Sequence, residues 1–220
     1  MQQAMTRAKM QESWQRMLTT DDEHESAKIF IFKFCKTKDP KDPEEPIKLF
    51  PRKRYLDESI DFWLDHRLTL WAKSRRMLYT WLFCELCLWD AIKYPARYSF
   101  LQSRELADAG MAVEYGLLWR VLFSLEQLDE CVRPKYKIQK KYQILTLLDT
   151  GSTIRAVSAD FDAFRQYGAT FVLADEVATQ PNPQLSFMAA LPAVEGVGRF
   201  TGVSNPNGEN YFFRKVMDLE

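Results

Sequence analysis

Four short apolar runs are spaced along the chain among longer segments with helical periodicity. The run at residues 170–174 is mostly apolar without alternation, which is typical of a strand buried on both faces. All four runs are predicted to be strands. They cover residues 67–72, 98–102, 170–174 and 199–204. Helical patterns precede or separate them at residues 52–65, 80–93 and 185–191. Strands that alternate with helices predict an α/β fold with a mostly parallel central sheet flanked by helices.

A further helix is predicted after the second apolar run. Ser103 stands at its start as a potential cap, because a serine hydroxyl can accept a hydrogen bond from a free backbone N–H. The helix is expected to begin near Arg104 and to reach about Leu128. Gly110 and Gly116 predict breaks within it.

The remaining segments are assigned from turn residues. Residues 143–148 and 153–157 are rich in β-favouring side chains and flank a glycine turn, which predicts a β-hairpin. Residues 158–166 are polar and predict a loop with a helical turn. Residues 29–35 form an apolar segment that fits either a short strand or a helical turn. A last helix is predicted over residues 210–219.

A charged segment with three prolines covers residues 36–46. Proline fixes φ and lacks a backbone donor, so no regular element is expected to cross this segment. It therefore divides the chain into a polar lead with its proline-rich connection, residues 1–45, and a main domain, residues 46–220.

Composition places the chain among globular proteins. It has 220 residues, 46% of them hydrophobic and 14% aromatic, enough to bury a substantial core. Thirty basic and thirty acidic residues cancel, so net charge gives no sign of nucleic-acid binding. An apolar stretch long enough to cross a membrane is absent from the sequence, and the first 17 residues lack a signal core. These features predict a soluble, cytoplasmic protein.

Cysteine and histidine do not indicate a metal site. Cys84 and Cys87 form a CxxC, but it lies inside an apolar helical pattern and has no second pair at zinc-site spacing. His24 and His66 are isolated from each other. A buried helix is therefore the favoured interpretation of the CxxC.

Two acids end the apolar run at residues 170–174. Asp175 and Glu176 would lie at the carboxyl end of a buried strand, where open α/β sheets bind ligands. One acid can help to hold magnesium and the next can activate water, which is the Walker B arrangement of P-loop proteins. Many strands also end in two acids before a solvated loop, and that alternative stays open on the pattern alone.

A phosphate-binding loop is the expected partner of such a strand. Residues 73–80 follow the strand at 67–72 and begin a helix, as the pattern G-x-x-x-x-G-K-[ST] requires, yet only Thr80 fits that pattern by identity. A helix N-terminus still offers free N–H groups to phosphate. Lys73, Arg75 and Arg76 are candidates for the phosphate cation. The alternative is a basic turn without a ligand.

The segment from Lys73 to Trp81 resembles the deviant Walker A of large terminase subunits, the ATPases of genome-packaging motors in tailed phages. Some members place the functional lysine at the start of the loop and carry tyrosine at the usual lysine position, which Lys73 and Tyr79 match. Residues 172–176 resemble the family's Walker B, and residues 202–208 its coupling motif. The resemblance extends over about residues 29–216 and implies a P-loop NTPase fold of the ASCE type with a β-hairpin insertion.

This resemblance implies roles for individual residues. Glu176 would activate water, Lys73 would neutralise the γ-phosphate, and Thr80 with Asp175 would hold Mg²⁺. Arg165 is a candidate for an arginine that completes a neighbouring subunit's site; Arg104 is a second. Ser204 and Asn205 would couple hydrolysis to movement. The loop implied to bind ATP consists of Lys73, Ser74, Arg75, Arg76, Met77, Leu78, Tyr79 and Thr80.

The family's biology supplies the expected partners: double-stranded DNA, a portal protein, the small terminase subunit and further copies in a ring, in the host cytoplasm and without a membrane. The family's nuclease domain is expected to be absent from residues 1–220.

The sequence departs from the family's motifs at two places. Arg52–Tyr55 replaces the neighbourhood of the family's adenine-contacting glutamine, and Leu78 replaces the loop's second glycine.

One segment of the chain is basic and free of acids. It is a candidate for DNA contact through phosphates, or otherwise a solvated loop or hairpin edge. Its basic residues are Arg133, Lys135, Lys137, Lys140 and Lys141.

Two functional alternatives to a packaging ATPase stay open: another helicase-like DNA translocase, and a non-catalytic assembly domain with an eroded P-loop.

Overall fold

The structure is a computed structural model and describes residues 6–160, 168–206, 208 and 211–216. The helices are α1 (Arg7–Thr19), α2 (Glu23–Lys33), α3 (Arg54–Asp65), α4 (Tyr79–Lys93), α5 (Leu106–Ala109), α6 (Leu117–Gln127), α7 (Pro183–Ala193) and α8 (Tyr211–Val216). The strands are β1 (Lys36–Lys38), β2 (Ile47–Leu49), β3 (Leu68–Ala72), β4 (Tyr98–Ser103), β5 (Tyr136–Gln139), β6 (Ile144–Leu147), β7 (Thr153–Ser158), β8 (Phe171–Asp175) and β9 (Arg199–Ser204).

Within the described residues, seven strands form the central sheet in the order β3-β9-β8-β4-β7-β6-β5. The first five are parallel to one another. β6 and β5 add an antiparallel extension at one end, and β6 with β7 is the predicted hairpin. The mostly parallel α/β sheet and the hairpin are thus confirmed. β9 lies between β3 and β8 although it follows both in the sequence, as in ASCE-type P-loop folds.

Strand β8 is buried along its whole length. Phe171 and Leu173 belong to the larger hydrophobic core, and the Phe171 ring lies 5.4 Å from the Trp63 ring. Val172 and Ala174 belong to a second core on the opposite face, together with residues of α7 and α8. Helices on both faces explain why this strand is a continuous apolar run, because neither face meets water.

The N-terminal helices pack into the larger core. Phe30 and Ile31 of α2 are fully buried there, with Trp14 and Met17 of α1. The Trp89 indole N–H on α4 donates to the Ser26 hydroxyl at 3.0 Å. Residues on both sides of the predicted boundary at 45 and 46 therefore share one core, and the domain division itself stays a prediction.

One local prediction, the helix cap at Ser103, was wrong. Ser103 does not cap a helix, because it continues the β4 ladder opposite Ser158. The next helix starts at Leu106, after an N-cap residue, Glu105, whose side chain makes no capping bond. The expected breaks are present, since that helix ends at Ala109 and α6 begins after Gly116. The ambiguous segment 29–35 lies largely in α2, so its helical alternative is correct.

The proline segment also carries more structure than expected. β1 begins within it and pairs with β2 as a small antiparallel sheet. A hydrogen bond of 2.7 Å from Asp39 N to the Pro46 carbonyl closes the turn between them. None of the helices in the described ranges is long and apolar enough to cross a membrane.

Candidate functional site

Three loops meet at the carboxyl edge of the parallel strands. Lys73 follows β3, Glu176 follows β8, and Asn205 follows β9. The Lys73 backbone N–H donates to the Ser204 carbonyl at 2.9 Å, so the first and third loops are joined directly. Because β9 lies between β3 and β8, the segments carrying the two predicted motifs face each other across a single strand.

Lys73, Thr80 and Asp175 form a connected polar group at this edge. Lys73 Nζ donates to Thr80 Oγ1 at 2.7 Å and lies 3.5 Å from Asp175 Oδ1. Thr80 Oγ1 donates to Asp175 Oδ1 at 3.4 Å. The side chains of Lys73 and Asp175 are only 12% and 10% exposed, so their charges are little screened by solvent. The fold thus brings together a cation, a hydroxyl and a carboxylate from segments that are far apart in the sequence.

The loop between β3 and α4 takes the conformation that glycine normally provides. Leu78, at the position of the loop's second glycine, has φ 61° and ψ 9° and precedes α4 as its N-cap residue. Arg76 is also left-handed, with φ 68°. No side chain caps α4, so the N–H groups of its first turn remain available to an anion. Leucine therefore preserves the loop shape at a cost of about 1–2 kcal/mol in backbone strain.

The Tyr79 side chain packs away from this loop. It is 9% exposed, and its ring lies 5.4 Å from Trp71 and 6.0 Å from Phe83. Tyr55 packs against it from α3 and donates its hydroxyl to the Met77 carbonyl at 3.2 Å. Burial, and then the neighbouring Tyr79, raises the pKa of Tyr55 and keeps that donor protonated. Tyr79 thus anchors the loop to the core, and only its backbone can reach a phosphate.

The other loop residues differ from Lys73 in their surroundings. Ser74, Arg75 and Arg76 are exposed, whereas Met77 is half-buried. Among the described residues, neither arginine has an ion pair or a side-chain hydrogen bond. Of the three candidate cations, Lys73 is the one in contact with both Thr80 and Asp175.

Glu176 is exposed and adopts a left-handed backbone with φ 54° and ψ 37°. A non-glycine residue in this region is strained and marks a position worth a functional test. Gln180 helps to fix the turn by donating from Nε2 to the Asp175 carbonyl at 3.0 Å. Sequence reasoning did not single out Gln180, because an isolated glutamine after an acidic pair has no recognisable pattern.

Ser204 joins the end of β9 to the turn that follows Glu176. Its Oγ accepts from the Ala178 backbone N–H at 3.0 Å and donates to the Asn205 carbonyl at 3.1 Å. The Asn205 Oδ1 is buried and has no hydrogen-bond partner among the described residues. A Cβ on the nearby Gly202 would lie 2.5 Å from Leu70 Cδ2, so a larger residue at this point of β9 would force Leu70 to shift. The Ser204 hydroxyl thus links the end of β9 directly to the turn after Glu176.

A cleft of about 1090 Å³ lies over these loops. Its walls include Lys73, Thr80 and Glu176, with the β1–β2 sheet on the opposite side. A smaller cleft of about 420 Å³ adjoins it and shares Glu176 and Arg120. Volumes of this size match small-molecule sites. Arg120 is a second residue that sequence reasoning missed, since it stands in the apolar pattern of α6.

The remaining candidates lie outside this group. Arg165 falls outside the described residues. Arg104 lines the smaller cleft, is 56% exposed and pairs with Glu105 at 3.2 Å. Arg133 has a structural partner, because its guanidinium donates to the Leu128 carbonyl near the end of α6. The other basic candidates, Lys135, Lys137, Lys140 and Lys141, are exposed beside or within edge strand β5.

No protein-family model and no curated protein matches the sequence. Solved structures do match the fold. The large terminase of bacteriophage HK97 is similar with a TM-score of 0.67 and 14% identity, over 88% of this chain and 40% of that chain. The fold of this chain is that of large terminase ATPase domains.

Two further structures carry the terminase fold. The large terminase of a thermophilic bacteriophage, in complex with ATP-gamma-S, has a TM-score of 0.58 and 15% identity, over 76% of this chain and 42% of that chain. The ATPase domain of the Thermus phage P74-26 large terminase, a point mutant, has a TM-score of 0.52 and 19% identity, over 66% and 61%. This chain thus spans about 40% of the length of the HK97 protein and of the thermophilic phage protein.

Proposed function

We propose that the chain is the ATP-hydrolysing motor domain of a viral DNA-packaging terminase, which couples ATP hydrolysis to movement of double-stranded DNA into a procapsid. The observation that carries the proposal is the group of Lys73, Thr80 and Asp175, joined by contacts of 2.7–3.5 Å. It adjoins the loop in which Leu78 has the left-handed backbone usual for glycine. The terminase ATPase fold supports it, as does the complex of the thermophilic phage terminase with ATP-gamma-S.

The nucleotide would lie with its phosphates against residues 73–80. Free N–H groups at the start of α4 and the Lys73 ammonium supply the positive field. The Thr80 hydroxyl and the Asp175 carboxylate are oxygen donors 3.4 Å apart, a donor set that suits Mg²⁺ with water and phosphate as its other ligands. When held by these two residues, Mg²⁺ would neutralise part of the phosphate charge. Lys73 then turns from these oxygens toward the phosphates.

Glu176 is the proposed general base. Its carboxylate is exposed to the cleft, and its strained backbone is held by the turn at Val177–Thr179. From this position it accepts a proton from the attacking water as that oxygen bonds to the γ-phosphorus and the bond to the β-phosphate oxygen breaks. The products are ADP and inorganic phosphate.

Coupling is assigned to Ser204 and Asn205. Ser204 already bridges the turn after Glu176 and the end of β9. Loss of the γ-phosphate changes the charge facing this turn, and the shared hydrogen bonds carry a displacement of one loop to the other. The unpaired Asn205 Oδ1 offers an acceptor for a water or a moving N–H.

The proposed assembly follows from the same function. A ring of copies would surround DNA at the portal in the host cytoplasm and receive the genome through the small terminase subunit. Arg165 or Arg104 would act on a neighbouring copy, and the exposed lysines of residues 135–141 would contact DNA phosphates. The division into a lead, residues 1–45, and an ATPase domain, residues 46–220, belongs to this proposal.

The decisive experiment is ATP turnover by the full-length protein with portal and double-stranded DNA. Glu176→Gln is expected to lower kcat by about 10²-fold or more, because it removes a general base. Lys73→Ala is expected to lower turnover to a similar extent. The matched controls are Glu195→Gln and Lys9→Ala, which alter exposed residues outside the cleft and should leave turnover unchanged.

Unchanged turnover in both site variants would contradict the catalytic assignment. A wild-type protein that binds no ATP under these conditions would favour the non-catalytic assembly domain. ATP hydrolysis that responds to DNA without a portal would favour another helicase-like translocase.

A further inference from the structure

Arg120 reaches the proposed nucleotide cleft from α6. Its guanidinium carbon lies 5.5 Å from the centre of the Trp81 ring, and Trp81 directly follows Thr80 on α4. The residue lines the larger cleft with Lys73 and Thr80, and the smaller cleft with Asp175 and Glu176. A cation is therefore held at the junction of the two clefts, on the side of α4 that carries the phosphate loop.

In the part of the chain that the structure describes, the Arg120 guanidinium has no hydrogen-bond acceptor. Arg120 Nε is buried without a hydrogen-bond partner, and within the described residues no carboxylate or carbonyl accepts from this side chain. Two other half-buried arginines have carbonyl acceptors: Arg199 donates to the Trp63 carbonyl at 2.7 Å, and Arg133 donates to the Leu128 carbonyl at 2.6 Å. A buried donor left unpaired is costly, so an acceptor that enters the cleft would stabilise this arrangement.

The chemistry of the cleft indicates which acceptor that is. Guanidinium presents five donors in a planar fork that matches the oxygens of a phosphate. The Trp81 ring holds the fork from one face through a cation–π contact without using any of its N–H groups. The side chain is thereby oriented in advance, and its donors stay free for an anion between the loop and Glu176.

We propose that Arg120 binds the terminal phosphate of the nucleotide within its own subunit and so favours the triphosphate over the diphosphate. This inference rests on the proposed function. It assigns a phosphate-binding role to a residue of the same chain, separate from any arginine supplied by a neighbouring copy. After hydrolysis and release of the terminal phosphate, the Arg120 guanidinium would keep only its cation–π contact with the Trp81 ring.

The test is equilibrium binding of ATP-gamma-S and ADP, each with Mg²⁺, to the wild-type chain and its variants. Arg120→Ala is expected to weaken ATP-gamma-S binding by roughly 10- to 100-fold, the range for a hydrogen-bonded charge, and to leave ADP affinity within about twofold. Arg120→Lys keeps the positive charge but not the planar fork of donors. Its affinity for ATP-gamma-S is expected to lie between those of the wild type and Arg120→Ala. Arg16→Ala changes an exposed arginine in α1 and serves as the control.

Thermal unfolding of each variant separates a binding defect from a folding defect. Should Arg120→Ala not fold, Arg120→Lys carries the comparison. An equal loss of affinity for both nucleotides, or none for either, would overturn the role of Arg120 while wild-type nucleotide binding would still support the ATPase site. A wild-type chain that binds neither nucleotide would overturn both proposals.

Discussion

Glu85 carries a buried carboxyl group whose protonation should govern stability. It lies on α4, is fully buried, and accepts a hydrogen bond from the Ser124 hydroxyl of α6. Its second oxygen makes no hydrogen bond of ordinary geometry among the described residues, although the buried Cys35 thiol is a close neighbour of the carboxyl. Removal from water raises the pKa of Glu85 from 4.5 to about 8, against the opposing effects of the Ser124 hydroxyl and the Cys35 thiol. The folded protein therefore keeps this group neutral at pH 7.

The sign of the pH dependence follows from this shift. Between pH 4.5 and about 8 the folded state holds a proton that the unfolded state has released, so the stability contributed by Glu85 is full below pH 4.5 and is lost as pH rises. At about 1.4 kcal/mol per pH unit, the cost is roughly 3 kcal/mol at pH 7 and approaches about 5 kcal/mol above pH 8. Glu85→Gln removes the titration and leaves a neutral side chain of similar size.

The assay is denaturant unfolding of both proteins at several pH values. The free energy of unfolding of Glu85→Gln minus that of the wild type should rise by about 1.4 kcal/mol per pH unit from pH 5.5 to 7.5. The absolute offset depends on how well the amide packs, so the slope carries the test. Glu195→Gln, at an exposed position, should give a flat difference. A flat difference for Glu85→Gln as well would refute the assignment of a buried neutral acid.

Three further predictions concern the loops and the basic edge. Leu78→Gly should be more stable than Leu78→Ala by about 0.5–1 kcal/mol in denaturant unfolding, because glycine relieves the left-handed strain; the reverse order would contradict the strain. Ser204→Ala should keep ATP affinity in a binding titration but lower DNA-stimulated turnover by about tenfold, since it cuts the bridge between the two loops; equal turnover would remove its coupling role. Arg133→Ala should lower the unfolding midpoint by about 2–4 °C, whereas Lys137→Ala should leave it unchanged and weaken salt-dependent DNA binding in a filter assay; no change in DNA binding would argue against that surface.

The sequence predicts the parts of the fold that depend on burial. The run from Phe171 to Asp175 is continuous because both faces of β8 are covered, and this same pattern indicated a parallel sheet. Lys73 and Asp175 were both predicted to lie in one site, and in the structure Lys73 Nζ is 3.5 Å from Asp175 Oδ1, while their roles stay predictions. The positions of these residues directly after two predicted parallel strands were enough to predict that they lie close together, because parallel strands place their carboxyl ends at one edge of the sheet.

Other features depend on contacts that no local pattern reveals. Ser103 has the chemistry of a helix cap but is used by the sheet, where Ser158 pairs with it. Tyr79 stands at the usual lysine position, yet its ring fills an aromatic cluster with Trp71 and Phe83. The sequence does not identify Arg120 as a candidate site residue. Its contact with Trp81 and its position in the cleft depend on how separate helices pack in the fold.

The most direct test of the central claim is a crystal structure of this chain with ATP-gamma-S and Mg²⁺. The proposed site predicts phosphates against the N–H groups of residues 73–80 and the Mg²⁺ ion at Thr80 and Asp175. Lys73 Nζ is expected to leave its 2.7 Å contact with Thr80 for a phosphate oxygen. A nucleotide bound elsewhere, or Lys73 still in contact with Thr80 and Asp175 beside a bound nucleotide, would contradict the account.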